Sequence, residues 1–218
     1  MILSAKLLPI STLLVGFFCT SYGQSTAQNN IPGNVAFGSP TQGGLNGKII
    51  RVTTLDAAGP GSIKEAIETK GPRIVVFEVG GIIDLNKGGL DITEPFLTIA
   101  GQTAPYPGIT FIRGGFWVNT HDIVIQHIRV RPGDAGEPKR SGWSPDGLTT
   151  SGGNAYNIII DHCSFTWAVD ENLSASGKRT EGSDSTSHRI TFSNNIIAEC
   201  LSNSSHEKGP HSKGTLIH

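Results

Sequence analysis

Apolar residues along this chain fall in short runs divided by glycine, proline and small polar residues, and one arrangement of them recurs. Leu97-Thr98-Ile99-Ala100-Gly101-Gln102, Ile123-Val124-Ile125-Gln126-His127-Ile128, Ile158-Ile159-Ile160-Asp161-His162-Cys163 and Ile190-Thr191-Phe192-Ser193-Asn194-Asn195 each read as a strand, a polar pair and a turn. Their third positions are residues 99, 125, 160 and 192, giving steps of 26, 35 and 32 residues. A single strand of this kind cannot bury its apolar face alone. Repetition at that period, with no helix between copies, predicts a solenoid whose copies stack and whose unequal steps send loops of different length out of the stack. Asn194 and Asn195 suit a turn position where side-chain amides bond from coil to coil.

Upstream, Ile74 to Val79 and Ile82 to Leu85 predict two further strands, separated by Gly80-Gly81. One segment has helical character. Ser62 is placed as an N-cap with Glu65 three residues on, the pattern of a capping box, and Ile63, Ala66 and Ile67 form one apolar stripe. A short helix there would close the first end of the solenoid. An antiparallel sandwich is the competing architecture, but its hairpins call for Asn-Gly or Asp-Gly turns between alternating strands. Asn46-Gly47 and Asp146-Gly147 occur once each, and neither is so flanked.

Composition agrees with an all-β chain: 28 glycines, 12 prolines and 16% charged residues. With 17 Lys+Arg against 18 Asp+Glu, nothing points to nucleic acid or to a charged membrane surface. Lys6 precedes an apolar run from Leu7 to Phe18, followed by Ser21 and Gly23, small residues at signal-peptidase spacing. The run is short for a bilayer core that needs about 20 apolar residues, and Pro9 interrupts it. The expected organisation is a signal peptide over 1–23, a polar disordered terminus over 24–30 and one solenoid domain over 31–218. Export of a monomeric protein follows, with no membrane association once the signal is removed. Cys163 and Cys200 remain after cleavage, and both pairing and separate burial stay open. Two glycosylation sequons begin at Asn172 and Asn203. His162 and Cys163 are consecutive on a strand and face opposite sides, so they form no catalytic pair; Arg129 and Arg131 share an outward face.

Four segments resemble the pectate lyase family: Gly59 to Ala66, Gly71 to Gly81, Leu97 to Pro105, and Ile160 to Glu171, which reads Ile-Asp-His-Cys-Ser-Phe-Thr-Trp-Ala-Val-Asp-Glu. They occur in the family's order and cover the chain from about Ile31 to its last residue. The resemblance implies a right-handed parallel β-helix with a short N-terminal capping helix. It also implies a groove for acidic polysaccharide, polygalacturonate or pectin, and cleavage by β-elimination assisted by Ca²⁺. A non-catalytic β-helix, such as an adhesin or carbohydrate-binding module, is the alternative.

Carried over residue by residue, the resemblance makes Asp146 and Asp170 calcium ligands, with Glu171 as a neighbouring carboxylate, and Lys213 a substrate-binding residue. Ser144 and Ser174 stand where type members of the family carry acids, which implies fewer carboxylates on the metal. If the backbone at 170–171 is extended, Glu171 points away from Asp170. The family's proton-abstracting arginine lies in a later coil than any present here. The expectation is therefore a C-terminally incomplete domain, inactive by itself, with no catalytic base among its residues.

Overall fold

The computed structural model describes residues 40–218. The expected signal peptide over 1–23 and polar terminus over 24–30 lie outside the described residues. After β1 (Lys48–Val52) and α1 (Ile63–Glu68), the chain makes five coils of three strands. They are β2 (Arg73–Phe77), β3 (Gly81–Asp84) and β4 (Leu90–Ile92); β5 (Leu97–Ala100), β6 (Ile109–Ile112) and β7 (Phe116–Val118); β8 (Ile123–Gln126), β9 (Ile128–Arg131) and β10 (Leu148–Ser151); β11 (Tyr156–Asp161), β12 (Ser164–Thr166) and β13 (Glu171–Ser176); and β14 (His188–Ser193), β15 (Ile196–Ala198) and β16 (Lys213–Ile217). Like strands of successive coils pair in parallel, giving three sheets ordered β1-β2-β5-β8-β11-β14, β3-β6-β9-β12-β15 and β4-β7-β10-β13-β16. This is the all-β, right-handed parallel β-helix expected from the sequence.

The recurring third positions form one column: Ile99 pairs with Ile125, Ile125 with Ile160, and Ile160 with Phe192. Val75 and Ile50 extend it to the first coils. Two further columns, Ile83-Phe111-Val130-Phe165 and Leu90-Phe116-Leu148-Leu173, point inward from the other sheets. All are buried. The first four coils therefore present apolar side chains on three sides of one axial core, and the removal of that surface from water drives the stacking.

The corner between the first and second sheets is a single residue in left-handed conformation, with φ 55° at His127, 53° at His162 and 54° at Asn194. Asparagine and histidine tolerate this better than most residues, which accounts for the recurring polar pair. Side chains ladder along the corner. The His127 and His162 rings stack at 5.0 Å, Asn194 Nδ2 donates to Asp161 Oδ1 at 2.9 Å, and Asn195 Nδ2 donates to the Ile160 carbonyl at 2.9 Å.

Helix α1 covers the first end as expected. Ser62 Oγ accepts from the Glu65 amide at 3.2 Å, while the Glu65 carboxylate reaches past the cap to the Gly61 amide at 2.6 Å. The other end of the helix is sealed by Arg73, which is fully buried. Its guanidinium donates to the carbonyls of Ala66, Ile67, Gly71, Glu94 and Pro95. Those last-turn carbonyls lack partners within the helix, so one cation satisfies several at once. Cys163 is buried and Cys200 partly so, both as free thiols. Asn172 is wholly buried and its amide donates to the Ala198 carbonyl and contacts Cys200 Sγ, so the first sequon is inaccessible.

Candidate functional site

The third sheet is preceded in each coil by a loop, and the starts of its strands line up along the axis. Glycines allow the coils to approach there. A Cβ at Gly115 would stand 2.0 Å from the Asp146 carbonyl oxygen, and one at Gly147 would stand 2.3 Å from that of Asn172. Gly147 therefore follows Asp146 because the next coil leaves no room for a side chain. The backbone ladder is continuous: the Gly147 amide donates to Glu171 O and the Lys213 amide to Asp170 O, both at 2.8 Å.

This stacking gathers Asp146, Asp170 and Glu171, whose ligand oxygens lie within 4.8 Å of one another. Asp170 occupies a bend between the Ala168-Val169 segment and β13. The expectation that alternation would turn Glu171 away from it fails for that reason: the backbone at 170 is not extended strand. Asp146 is held from both sides, Oδ1 accepting from the Glu171 amide at 3.0 Å and Oδ2 from Thr149 Oγ1 at 2.5 Å. Thr149 in turn bonds Ser174 Oγ at 2.9 Å. Ser174, a hydroxyl where an acid was expected from the resemblance, thus fixes Asp146 through Thr149. Ser144 lies two residues before Asp146 and lines a recess beside the cluster.

The electrostatics of the cluster are those of crowded anions. Burial pushes Glu171 up to about 8, and the charges of Asp146 and Asp170 add to the shift. Burial raises Asp146 as well, against the hydrogen bonds from Glu171 and Thr149 that favour its ionised form. Glu171 therefore carries a proton near neutral pH that a bound cation would displace.

His206 and His211 form the outer wall and were not assigned a role from sequence. His211 Nε2 lies 2.9 Å from Asp170 Oδ1, His206 Nε2 lies 3.4 Å from Asp170 Oδ2, and the two rings stack at 3.9 Å. The Lys208 amide donates to His206 Nδ1, which leaves the ring proton on Nε2, toward Asp170. Only the spacing of the two histidines hinted at this; the loop that folds them back on Asp170 carries no periodic signal. Lys213 starts β16, in register with Glu171, and is exposed on the next coil. Arg129 and Arg131 do face outward, but toward other work: Arg129 bonds Thr110 and the Pro107 carbonyl, and Arg131 bonds Thr166 beneath Trp167.

Oxygen donors at the strand starts suit a hard divalent cation such as Ca²⁺, and acids in close contact fit its charge. Asp146, Asp170 and Glu171 would hold it.

No family model matches the chain. Among curated proteins, it is 37% identical to the probable pectate lyase C of Emericella nidulans over 195 residues, 88% of this chain and 41% of that protein. It is 37% identical to the probable pectate lyase C of Aspergillus terreus over 187 residues, 85% of this chain and 39% of that protein. Against pectate lyase 5 of Ambrosia artemisiifolia the identity is 29%, covering 75% of this chain and 42% of that protein. The fold is similar to the crystal structure of Jun a 1, the major allergen from cedar pollen, with a TM-score of 0.55 and 20% identity over 84% of this chain and 62% of that one. The chain spans about two-fifths of the length of the curated relatives it matches. Over most of its own length, the chain is a homologue of proteins named as pectate lyases.

Proposed function

We propose that this chain carries the cation- and substrate-binding part of an exported polysaccharide lyase that cleaves polygalacturonate by calcium-assisted β-elimination. The observation that carries the reading is the convergence of Asp146, Asp170 and Glu171 at one edge of the third sheet, with Lys213 on the coil that follows. A non-catalytic β-helix would give three acids no reason to share a site at the expense of raised carboxyl pKa values. The relatives' names favour the lyase reading as well.

In the reaction, the proton on C5 of a uronate residue leaves, its electron pair forms the C4=C5 double bond, and the C4–O bond to the neighbouring sugar breaks. Calcium would supply positive charge at the uronate carboxylate, where negative charge gathers as the proton is lost. Asp146, Asp170 and Glu171 would anchor it, the Thr149-Ser174 pair keeps Asp146 aimed, and Lys213 would offer an ammonium to a second carboxylate of the polymer. No residue of this chain is assigned as the proton acceptor. The apolar run from Leu7 to Phe18 behind Lys6 supports export.

Calcium-dependent retardation of the chain in gels containing polygalacturonate tests the binding part. Retardation should vanish with chelator and fall in Asp170→Ala. Migration unaffected by polymer at every calcium level would refute it. Absorbance of unsaturated uronate ends should not develop with this chain alone, and its steady appearance would show that a base is present among these residues.

A further inference from the structure

A recess of about 210 Å³ adjoins the acidic cluster and differs from it in chemistry. It is lined by Lys87, Gly89, Trp117, Trp143 and Pro145, with Gly88 and Ser144 completing the wall. Trp117 points outward from β7 between the buried Phe116 and Val118. Its ring lies so near Gly89 that a Cβ there would stand 2.8 Å from Cζ3, so glycine at 89 makes space for the indole. Trp143 is pinned from two sides: its indole N–H donates to the Gly133 carbonyl at 3.4 Å, and its own carbonyl accepts from the buried Ser205 hydroxyl at 2.5 Å. Pro145 joins the recess to the cluster directly, since it precedes Asp146 and its carbonyl accepts from the Val169 and Asp170 amides.

The recess carries no net charge. Lys87, the charged residue that lines it, is ion-paired with Glu137 from the loop between β9 and β10. A carboxylate placed against two indoles and a neutralised lysine would lose hydration without gaining a partner. An uncharged sugar loses nothing of the kind, and the apolar C–H face of a pyranose ring matches the apolar face of an indole. Position matters too. Coils are about 4.8 Å apart, close to the length of one sugar residue in an extended chain. The strand β7 lies one coil from β10, and the Lys87–Gly89 segment belongs to the coil before that. A polymer running along the axis would thus place one residue at the acidic cluster and a neighbour one or two residues away in the recess.

We infer that the Trp117–Trp143 recess is a sugar subsite selective for an uncharged pyranose residue, such as a methyl-esterified galacturonate, next to a cation site that takes a free uronate. The inference rests on the reading of the acidic cluster as a polyuronate site. It assigns a preference for partly esterified chains.

The test is a fluorescence titration of the chain carrying Trp167→Phe, which leaves Trp117 and Trp143 as the emitters, with unesterified and partly methyl-esterified oligogalacturonides, each in calcium and in chelator. The esterified oligosaccharide should shift the emission saturably in both conditions and bind at least fivefold more tightly than the unesterified one in chelator. Trp117→Ala should weaken that binding at least tenfold. Glu137→Gln, a change at the surface that frees the Lys87 charge, should move the preference severalfold toward the unesterified chain. Equal or tighter binding of the unesterified chain in chelator overturns the inference, and so does unchanged affinity in Trp117→Ala together with an unmoved preference in Glu137→Gln. Calcium-dependent retardation of the chain in polygalacturonate gels, with no change in tryptophan emission by either oligosaccharide, would retain the acidic site and remove this subsite. Unchanged emission with either oligosaccharide together with no retardation in polygalacturonate gels at any calcium level would remove both.

Discussion

Carboxylates are drawn wholly or partly out of solvent in two regions of this solenoid, and the protein treats them in opposite ways. Asp161, at the corner after β11, is fully buried, and burial alone would raise its pKa. Its oxygens instead receive Ser193 Oγ at 2.7 Å and Asn194 Nδ2 at 2.9 Å, with His162 Nδ1 2.7 Å away, and together these hold it below the usual carboxylate range. Asp146, Asp170 and Glu171, at the opposite side of the same coils, face one another, and Glu171 is pushed up to about 8. Donors reach the acids in both regions, since Asp146 accepts from the Glu171 amide and Thr149 and Asp170 faces His206 and His211; what differs is that the second group also crowds carboxylates against one another. A lone carboxylate surrounded by hydrogen-bond donors belongs to the scaffold, whereas acids held against one another in spite of their donors mark a place prepared for something else.

The comparison can be broken from the scaffold side first, where the effect is largest. Asp161→Ala strands the donors of Ser193 and Asn194 in the corner ladder and should destabilise the protein by about 3 kcal/mol or more; urea unfolding followed by circular dichroism reads this. Glu171→Gln should act in the opposite direction. A carboxyl whose folded-state pKa stands at about 8, above its ordinary 4.5, contributes its full stability below pH 4.5 and loses it as pH rises through 8. Cation-free wild type should therefore lose stability over that window, and Glu171→Gln should flatten the profile and gain on the order of 2 kcal/mol at pH 8. Thermal melts across pH measure both. The smallest effect belongs to Ser62→Ala, which removes the helix cap, should cost about 1 kcal/mol and should leave the pH profile unaltered in shape.

The sequence displayed one sheet in full view and the others barely. The column through Ile99, Ile125, Ile160 and Phe192 was legible because each strand is followed by the same polar corner. The second sheet was legible only at β3, read from Ile82 to Leu85, and at the alternation of Arg129 and Arg131 on β9, and the third was not, since β4, β7, β12 and β15 are three residues long and leave too little alternation to count. Helix α1 and its cap were legible from Ser62 and Glu65, yet Arg73 read as one residue of a strand start, and its role depends on carbonyls from three separate segments. At the candidate site, Asp146 and Asp170 could be placed by resemblance. Glu171 entered beside them as a neighbouring carboxylate, but the side it faces depends on a bend at Asp170 that alternation does not foresee, and the approach of His206 was not legible because it arrives from a long aperiodic loop.

Isothermal titration of the chain with calcium at pH 8, run in two buffers of different ionisation enthalpy, addresses the acidic cluster most directly. The expected result is saturable binding of calcium with release of protons, weakened at least tenfold in Asp170→Ala. Heat indistinguishable from dilution, or binding of equal strength in wild type, Asp170→Ala and Glu171→Gln, would contradict a cation site at these three residues.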